Sequence, residues 1–579
     1  MDEKALLQPE PHRTSWSTRI SPLRKPWIAG ICVTFAFLLW IQQHPLPSLH
    51  HGKPCHNRQI KYAGESIHWK FCGDLKGRPL ECTNLTVPLD QFNSTNSANR
   101  TFSIPLIRLR GKNATENLLL NPGGPGGSGE DFLYRRGLQI NTIVGEGFHL
   151  LSFDPRGVNG SRPLASCYPT QEARRQLSPV RESRVEDSAE VYAWAQNYGK
   201  ACKDTTGEHG AYINTPQTAA DMNSILDAVG QKDLVYWGFS YGTLLGQTYA
   251  SLFPERSRRV IIDGVVNQFD WYENVFDAES LEDTDAVFGG FLDECIKAGK
   301  NCSLSALGKT KDELWHKILK RADELSEQPL SVYVNSTVYG SLDYEDIIYK
   351  AIFPSLYKPA NWYDLADRLT KFLNGNATDL LVAHTMSDTW DFVGDSVSFV
   401  LINDGLSGPK YWPSSRKDMI TKTTPWLNQS LFSMMSYGTY YRKQAWAIPK
   451  THTFVPKKNV KTVHPLLILS TTYDPVCPLV SAHAANRAFE GSKIVELKSY
   501  GHCTVSMPSE CVAKHVRKFL YNGTLPDSHT TCEVDGAYFV KPEEDGKLVA
   551  MKEFDDVEDQ RLHLAQVEIA RDRSWPYRY

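Results

Sequence analysis

The chain has 579 residues, a hydrophobic fraction of 41% and a formal net charge of −3 at pH 7. Its size allows one large core with an insertion, or two domains, and its near-neutral charge without a basic stripe argues against a nucleic-acid partner. Its 12 cysteines are widely spaced without paired C-x-x-C knuckles, a pattern that predicts disulfides in an oxidising compartment and no zinc site.

The N-terminal region is predicted to anchor the chain in a membrane. It divides into a polar cytosolic tail (residues 1–26), an uncharged apolar transmembrane signal anchor (27–41) and a stem rich in histidine and proline (42–64). At about 1.5 Å per residue the apolar run is short for a ~30 Å hydrocarbon core, but Trp27 and Trp40 suit its two ends. Arg24 and Lys25 favour a cytosolic N-terminus and a single-pass type II orientation. Cleavage of the run as a signal peptide, which would give a secreted protein, is the alternative.

Asn-x-Ser/Thr triplets indicate that the rest of the chain is lumenal or extracellular. They all follow residue 50, and the candidate glycosylation sites are Asn84, Asn93, Asn99, Asn113, Asn301, Asn335, Asn376, Asn428 and Asn522. Chance yields a few such triplets, whereas this many suggest a glycoprotein of the Golgi, the vacuole or the cell surface.

Runs with β-strand character alternate with helical stretches along the predicted body. Strands are predicted at 68–72, 85–89, 102–109, 118–120, 148–153, 234–237, 259–264, 464–470 and 493–497, and a helix at 216–229. This alternation predicts an α/β protein with a mostly parallel sheet that is covered by helices on both faces.

The strand pattern stops near residue 267 and returns near residue 456, so the residues between are interpreted as an inserted helical cap. The predicted body consists of a first core part (65–266), the cap (267–455), a second core part (456–532) and a charged C-terminal tail (533–579). The tail is expected to pack loosely or to stay solvated.

An apolar strand, a sharp turn and an apolar helix meet at residues 233–245. The turn reads GFSYG, with Ser240 at its centre and Gly238 and Gly242 on either side. Glycines are needed where the strand and the helix nearly touch, and the turn projects the serine hydroxyl beside the positive end of a helix dipole. This context favours a nucleophile elbow over a surface turn with a capping serine.

A nucleophilic serine needs a general base, and the base needs an acid that orients it. Asp474 follows a late predicted strand and His502 follows the next one, which gives the chain order Ser, Asp, His. Because the carboxyl ends of parallel strands share one edge of a sheet, Ser240, Asp474 and His502 are predicted to form a catalytic triad. Asp263, which also follows a strand, is the reserve acid, and Asp154 is interpreted as structural.

A glycine-rich loop, NPGGPGGSG at 121–129, precedes the elbow. It lacks the lysine of the phosphate-binding pattern G-x-x-x-x-G-K-[ST]. Amide groups that converge on a developing alkoxide need a close backbone approach, which glycine permits. The loop is therefore predicted to form an oxyanion hole, with the N–H of Tyr241, the residue after the nucleophile, as a second donor.

Several motifs together resemble the tripeptidyl-aminopeptidase-like (TAP-like) branch of the α/β hydrolases, which is related to the prolyl iminopeptidases. They are the loop at 121–129, FDPRG at 153–157, GFSYGT at 238–243, DGVV at 263–266 and DPVCP at 474–478. The similarity covers about residues 65–532, weakly through the cap.

That resemblance implies an α/β-hydrolase fold with an inserted cap. It implies Ser240 as nucleophile, Asp474 as acid, His502 as base, and the N–H groups of Gly124 and Tyr241 as oxyanion donors. It also implies the release of single residues or short peptides from free N-termini, without a metal or another cofactor.

The chain departs from that family's pattern after the FDPRG motif. It reads VNGS at 158–161, where the family usually has glycine followed by arginine, and Asn159 heads a further Asn-x-Ser triplet near the expected mouth of the site. Carboxylates of the cap that would bind a free α-amine are not assigned. Glu130, close behind the glycine-rich loop, is the substrate-binding candidate, and a solvated glutamate is the alternative.

Disulfide pairing is partly predictable from local spacing. The local choices are Cys72 with Cys82, Cys167 with Cys202, and Cys295 with Cys302. A bridge between Cys477 and Cys503 would clamp the loops that carry the acid and the base, and the pair of Cys511 and Cys532 resembles the family's terminal bridge. Cys55 is then unpaired, and Cys32 lies in the predicted membrane segment.

These observations predict a membrane-anchored serine hydrolase that forms an acyl-enzyme, with a peptidase acting at free N-termini as the first hypothesis. A carboxylesterase or lactonase that uses the same residues on small esters or secondary metabolites is the second hypothesis. A non-catalytic adhesion or binding ectodomain is the third, and the intact set of Ser240, Asp474 and His502 argues against it.

Overall fold

The computed structural model describes residues 59–178, 188–277, 279–385, 393–452, 454–543 and 549–573. The predicted cytosolic tail, the predicted anchor at 27–41 and residues 42–58 of the predicted stem lie outside these residues, as do Cys32 and Cys55. Within the described ranges, no helix is long and apolar enough to cross a membrane.

The described strands form one large sheet and one small hairpin. They are β1 (Lys70–Leu75), β2 (Arg78–Pro88), β3 (Thr101–Leu109), β4 (Glu116–Asn121), β5 (Phe148–Phe153), β6 (Leu234–Phe239), β7 (Ser257–Asp263), β8 (Leu330–Asn335), β9 (Val338–Leu342), β10 (Leu467–Tyr473), β11 (Lys493–Tyr500) and β12 (Thr530–Cys532). The large sheet has the order β1-β2-β3-β5-β4-β6-β7-β10-β11-β12, and β8 pairs with β9.

The described α-helices surround the sheet and fill the region between β7 and β10. They are α1 (Ser94–Ser97), α2 (Gly129–Val144), α3 (Gln171–Leu177), α4 (Ser188–Thr206), α5 (Thr215–Ala228), α6 (Tyr241–Leu252), α7 (Gln268–Glu273), α8 (Thr284–Ala298), α9 (Lys311–Glu327), α10 (Phe353–Leu356), α11 (Trp362–Leu373), α12 (Thr378–Thr385), α13 (Val393–Asp404), α14 (Arg416–Leu427), α15 (Tyr437–Ala445), α16 (Leu479–Ala488), α17 (Glu510–Asn522) and α18 (Val557–Arg571).

Short helical turns complete the described secondary structure. The 3-10 turns are Gly207–Tyr212, Pro254–Arg256, Gly299–Asn301, Ser303–Leu307, Pro359–Asn361, Ser433–Ser436 and Thr504–Ser506, and a π-helix spans Asp346–Ile352.

From β5 to β12 the neighbouring strands of the large sheet run parallel, and the antiparallel pairs lie at the other end of the sheet, among β1, β2, β3 and β5. Side chains on a strand point alternately to its two faces. Accordingly, Tyr236 packs in one hydrophobic cluster and its neighbours Val235 and Trp237 pack in another. Both faces of the sheet are buried, as the sequence predicts, and the near-continuous apolar strands reflect this burial.

The segment predicted as a cap, 267–455, leaves the sheet after β7 and returns to it at β10. Many of its apolar residues, among them Phe288, Leu314 and Trp362, form a separate hydrophobic cluster. Val191, Ala195 and Phe539 from other parts of the chain also belong to this cluster. The β8–β9 hairpin of this segment was not predicted from the sequence.

The C-terminal region differs from the loosely packed or solvated tail that its charge suggests. Helix α18 buries Leu562, Ala565 and Ile569, whose spacing places them on one helical face. The side chain of Lys358 donates a hydrogen bond to Ile569 O at 3.3 Å, and Gln566 donates one to Ser509 O at 2.9 Å. The many charged residues of this region suggest a solvated tail, and its composition alone does not reveal the apolar face of the helix.

The structure contains the disulfides Cys72–Cys82, Cys167–Cys202, Cys295–Cys302 and Cys511–Cys532. The suggested bridge between Cys477 and Cys503 is wrong, because both cysteines are free and buried. Cys503 instead directs its thiol to Asp263 O, at 3.3 Å.

Candidate active site

Ser240 lies in the turn between β6 and α6 and is 2% exposed. Its φ of 55° lies in the left-handed region that non-glycine residues rarely adopt, which is the strained geometry of a nucleophile elbow. An added Cβ on Gly238 would lie 2.4 Å from Gly242 O, and one on Gly242 would lie 2.7 Å from Asn121 O. Both glycines are therefore required by the close approach of the backbone.

His502 and Asp474 meet beyond the ends of β11 and β10. Nδ1 of His502 lies 2.9 Å from both carboxylate oxygens of Asp474, and both residues are fully buried. A carboxylate accepts hydrogen bonds only, so Nδ1 carries the proton and Nε2 carries the lone pair that a general base needs. Nε2 is buried and has no hydrogen-bond partner among the described residues.

The carboxylate of Asp474 is held by backbone amides. It accepts hydrogen bonds from the N–H groups of Val476, Cys477 and Cys503 at 3.0, 2.9 and 2.9 Å. Since these donors come from the loops after β10 and after β11, the acid is fixed relative to the base without a disulfide between Cys477 and Cys503.

The glycine-rich loop lies directly against the elbow. An added Cβ on Gly123 would lie 2.2 Å from Phe239 O, 3.0 Å from the Cβ of Ser240 and 3.1 Å from the amide nitrogen of Tyr241. Gly124 follows with a φ of 113°. The structure thus brings the predicted oxyanion loop to the residue whose N–H is the other predicted donor.

Asp154 holds the other end of this loop. Its Oδ1 accepts hydrogen bonds from Ser128 Oγ at 2.7 Å and from Glu130 N at 3.2 Å, and its Oδ2 accepts one from Gly160 N at 2.9 Å. The structural interpretation of Asp154 agrees with these contacts. The side-chain amide of Asn159 also donates a hydrogen bond to Asp154 Oδ2, at 2.8 Å. The nitrogen that would carry a glycan therefore already has a hydrogen-bond partner within the protein.

Glu130 is half-buried in the first turn of α2. Burial, with a smaller contribution from the charge of Asp154, raises the pKa of its carboxyl group to about 7. It directly follows the glycine-rich loop in the chain, and its role in substrate binding stays a prediction.

Asp263, the reserve acid, is bonded elsewhere. Its carboxylate accepts hydrogen bonds from N and Oγ1 of Thr504, both at 2.7 Å, and its backbone O accepts one from Ser240 N at 3.0 Å. Burial raises the pKa of this carboxyl group to about 6. Asp263 therefore ties the elbow to the turn after His502, while Asp474 is the acid that contacts the imidazole.

Two contacts at the site were not foreseen from the sequence. The ring of Tyr357 lies against the ring of His502. Asp404, at the end of α13, accepts hydrogen bonds from N and Oγ1 of Thr215 at 2.9 and 2.5 Å, and this hydroxyl lies 2.6 Å from the Tyr241 hydroxyl. No sequence motif marks these contacts, since each joins the core to a distant segment.

A potential metal-ligand set coincides with the triad. Ligand atoms of Asp474, Cys477 and His502 lie within 4.8 Å of one another. The carboxylate and the imidazole are already hydrogen-bonded to each other, so a metal bound by both would have to replace that bond. A second set, Cys511, His515 and Cys532, includes two cysteines that form a disulfide.

The parallel sheet, the strand order and the serine elbow that opens α6 define an α/β-hydrolase fold. The sequence predicted this class, and it is confirmed.

Comparisons with known proteins show which proteins the chain is similar to. A model of the TAP-like protein family matches residues 432–532. Tripeptidyl aminopeptidase of Streptomyces lividans is 27% identical over 501 residues, which cover 81% of this chain and 87% of that protein. Serine protease Hip1 of Mycobacterium tuberculosis (strain ATCC 25618 / H37Rv) is 27% identical over 492 residues, 81% of this chain and 91% of that protein. Carboxylesterase B of Mycobacterium tuberculosis (strain CDC 1551 / Oshkosh) is 26% identical over 480 residues, 79% of this chain and 86% of that protein.

The resemblance to the TAP-like branch of the α/β hydrolases is therefore confirmed. The chain is a serine hydrolase, and the hypothesis of a non-catalytic ectodomain is set aside.

Proposed function

We propose that this serine hydrolase is a peptidase that releases residues or short peptides from free N-termini, with Ser240 as nucleophile, His502 as general base and Asp474 as the orienting acid. The observation that carries the proposal is the buried contact of His502 Nδ1 with both oxygens of Asp474, 2.9 Å each, on the sheet edge where the elbow presents Ser240. The names of the related tripeptidyl aminopeptidase and serine protease support a peptide substrate.

In this mechanism His502 Nε2 takes the proton of Ser240 Oγ while Oγ attacks the scissile carbonyl carbon. The carbonyl oxygen becomes an alkoxide that accepts hydrogen bonds from the N–H groups of Gly124 and Tyr241. His502 then gives the proton to the leaving amine, and the C–N bond breaks. Water, deprotonated by the same imidazole, attacks the acyl-enzyme and releases the N-terminal product together with free Ser240.

Glu130 is the proposed contact for the free α-amine. Its carboxyl group is half-buried behind the oxyanion loop with a pKa raised to about 7, so an ammonium ion that binds beside it would stabilise the ionised form. The neighbouring Asp131 offers a matched control, because it lies in the same helical turn and pairs with Arg135 at the surface.

The first experiment compares initial rates on a short peptide amide with a free N-terminus and on its N-acetylated twin, with Ser240→Ala as the blank. We expect strong preference for the free amine and loss of both rates in Ser240→Ala. Glu130→Gln should raise KM for the free peptide only, and Asp131→Asn should leave it unchanged. Equal rates on the two peptides would reject the specificity for free N-termini, and an unchanged KM in Glu130→Gln would remove Glu130 from the amine site.

A carboxylesterase is the second candidate, and the similarity to carboxylesterase B favours it. The same residues would attack an ester, and no amine contact would be needed. If neither peptide is cleaved but an activated ester is hydrolysed, and Ser240→Ala stops that hydrolysis, the triad stands and the peptidase assignment is rejected.

We also propose that the chain is a single-pass type II glycoprotein of the secretory pathway with its catalytic body in the lumen or outside the cell. The apolar run at 27–41 and the disulfides of the body support this location. Expression of the full chain in a eukaryotic host tests it. The protein should remain in the membrane after alkaline extraction and should lose mass on glycosidase treatment, whereas a soluble form that lacks its first residues would indicate cleavage of a signal peptide.

A further inference from the structure

The side chain of Tyr241 joins the beginnings of the core helices α5 and α6. Tyr241 is the first residue of α6, directly after Ser240, and it is buried. Its hydroxyl oxygen lies 2.6 Å from Oγ1 of Thr215, which is the first residue of α5. The residue whose backbone N–H is the proposed second oxyanion donor therefore has a buried polar contact through its side chain.

The carboxylate of Asp404, at the end of α13 in the cap, holds this threonine. It accepts hydrogen bonds from N and Oγ1 of Thr215 at 2.9 and 2.5 Å, and from Nε1 of Trp271 at 3.0 Å. The ring of Trp271 also lies beside the ring of Tyr241, with the centroids 5.9 Å apart. Asp404 is fully buried, so two residues of the cap enclose the contact between Tyr241 and Thr215.

The hydrogen bonds from Tyr241 to Asp404 run in one direction. Burial raises the pKa of Asp404 to about 6, so its carboxylate is ionised at neutral pH and only accepts hydrogen bonds. Thr215 has a single hydroxyl hydrogen, which it donates to Asp404, and its oxygen therefore accepts the hydrogen of the Tyr241 hydroxyl. Hydrogen bonds to an ionised group are stronger than those between neutral groups, so the charge on the cap orients the whole chain.

We infer that Asp404 is a positioning residue, which acts through Thr215 to hold Tyr241 and thereby the direction of the Tyr241 N–H towards the oxyanion. The inference rests on the proposed role of Ser240 as nucleophile, but it does not depend on whether the substrate is a peptide or an ester. Oxyanion donors act through geometry that is fixed before the reaction. A small rotation of this amide should therefore slow the chemical step and leave the binding of substrate in the ground state unchanged.

Tyr249 offers a matched control on the same two helices. It lies eight residues after Tyr241 on α6, and its hydroxyl donates a hydrogen bond at 2.8 Å to Oδ1 of Asn223, which lies eight residues after Thr215 on α5. Tyr249 is also buried. Tyr249→Phe therefore removes the same group and the same kind of link between α5 and α6, about 12 Å further along the helices from the elbow.

The experiment uses the full chain from a eukaryotic secretory host, with Ser240→Ala as the blank. Single-turnover acylation by an activated ester gives the rate constant of the chemical step and the ester concentration at half-saturation. Inhibition by phenylboronic acid is measured as well, because boron bonded to the serine oxygen becomes tetrahedral and places an oxygen at the oxyanion position. Urea unfolding records the stability of every variant.

Tyr241→Phe and Thr215→Val each remove one hydroxyl of the chain and keep the size of the side chain. We expect both to lower the acylation rate constant by about 10-fold and to weaken the boronic acid by a similar factor, with the half-saturating ester concentration changed by less than about two-fold. Thr215→Ser, which keeps the hydroxyl, should retain most of the activity. Tyr249→Phe should lose stability and keep the acylation rate.

Asp404→Asn should lose at least as much activity as Thr215→Val. Either orientation of the asparagine amide would turn its NH2 group towards a donor that the carboxylate now accepts from, namely Thr215 N or the pair of Thr215 Oγ1 and Trp271 Nε1. Two donors that face each other in a buried site are both left without an acceptor.

Acylation at the wild-type rate in both Tyr241→Phe and Thr215→Val would overturn the inference. Equal losses in Tyr249→Phe would overturn it too, because they would show a general effect of packing between α5 and α6. In both cases an inactive Ser240→Ala would leave the nucleophile assigned to Ser240. An active Ser240→Ala would instead reject the triad itself, and this inference with it.

Discussion

The ring of Tyr357 stands edge-on to the imidazole of His502, with the ring centroids 5.0 Å apart and the planes inclined by 77°. The backbone reinforces this contact, because His502 N donates a hydrogen bond to Tyr357 O at 3.0 Å. Tyr357 belongs to the segment predicted as a cap, so one cap residue fixes the position of the proposed base. The next residue, Lys358, contacts the C-terminal helix α18, which connects the far end of the chain to this position.

Replacing the ring of Tyr357 tests whether it positions His502. We expect Tyr357→Ala to lower kcat by about 10- to 100-fold, because a shift of the base by a fraction of an ångström to about 1 Å costs rates of this order. KM should change little, and Tyr357→Phe, which keeps the ring, should retain most of the activity. Steady-state kinetics on one substrate for the three proteins measure this. Equal losses in the Phe and Ala variants would show that the hydroxyl, and not the ring, is the important group.

The substitutions Asp474→Asn and Asp263→Asn test which of the two aspartates offered by the sequence is the orienting acid of the triad. An asparagine at 474 would present its Nδ2 hydrogens to His502 Nδ1 and favour the tautomer with the proton on Nε2, so kcat should fall by roughly 10⁴-fold. At 263 the amide can still accept from Thr504 N and donate to Thr504 Oγ1, which preserves both contacts of that carboxylate. We therefore expect a loss of less than about 10-fold there.

We would compare the two variants by their single-turnover and steady-state rates at one pH. Circular dichroism serves as the control for folding. A greater loss in Asp263→Asn than in Asp474→Asn, with both proteins folded, would reverse the assignment of the acid.

The free thiols of Cys477 and Cys503 lead to a third prediction. Peptide mapping without reduction should find both residues unlinked and alkylated only after unfolding, because both side chains are buried. Burial is also the main reason that the pKa of each thiol is raised, which suppresses the reactive thiolate. Cys503→Ala should keep activity within a few-fold, in contrast with the large loss expected for a residue that clamps the acid and base loops. A tryptic fragment that links the two cysteines would contradict the structure.

Much of the fold and the contact between Asp474 and His502 could be predicted from the sequence, because the signals are local. The elbow carries its own glycines, and Asp474 and His502 each follow an apolar strand within a few residues. Parallel strands then bring the three residues to one edge without further information. The glycine-rich loop is local in the same sense, since its close approach to Ser240 depends on the missing side chain at Gly123.

The missed features depend on contacts between segments that are distant in sequence. Tyr357 reaches His502 from the middle of an irregular helical region, and no spacing rule connects the two positions. The proximity of Cys477 and Cys503 to the triad suggested a bridge, but Cys503 directs its thiol to Asp263 O instead. Helix α18 was not predicted because the acidic run at 553–559, which precedes and opens it, indicated a solvated tail.

The free energy of unfolding should depend on pH through the protonation of His149, which is buried beside two arginines. Its Nδ1 accepts a hydrogen bond from Gly111 N at 3.2 Å, and burial together with the charges of Arg110 and Arg108 lowers the pKa of the imidazole to about 4. Because an unfolded histidine titrates near 6.5, the unfolded state binds more protons than the folded state between pH 4 and 6.5. This contribution to stability is therefore complete above about pH 6.5 and is lost as the pH falls towards 4.

His149→Asn keeps an acceptor for Gly111 N and removes the titrating group. Urea unfolding of the wild type and the variant at several values between pH 4.5 and 7.5 measures the effect as a difference, so that groups common to both proteins cancel. We expect the midpoint of the wild type to fall relative to the variant as the solution is acidified through this range, and the difference to be constant above pH 6.5. Parallel pH curves for the two proteins would mean that His149 has the same pKa in the folded and unfolded states, in conflict with its burial between Arg108 and Arg110.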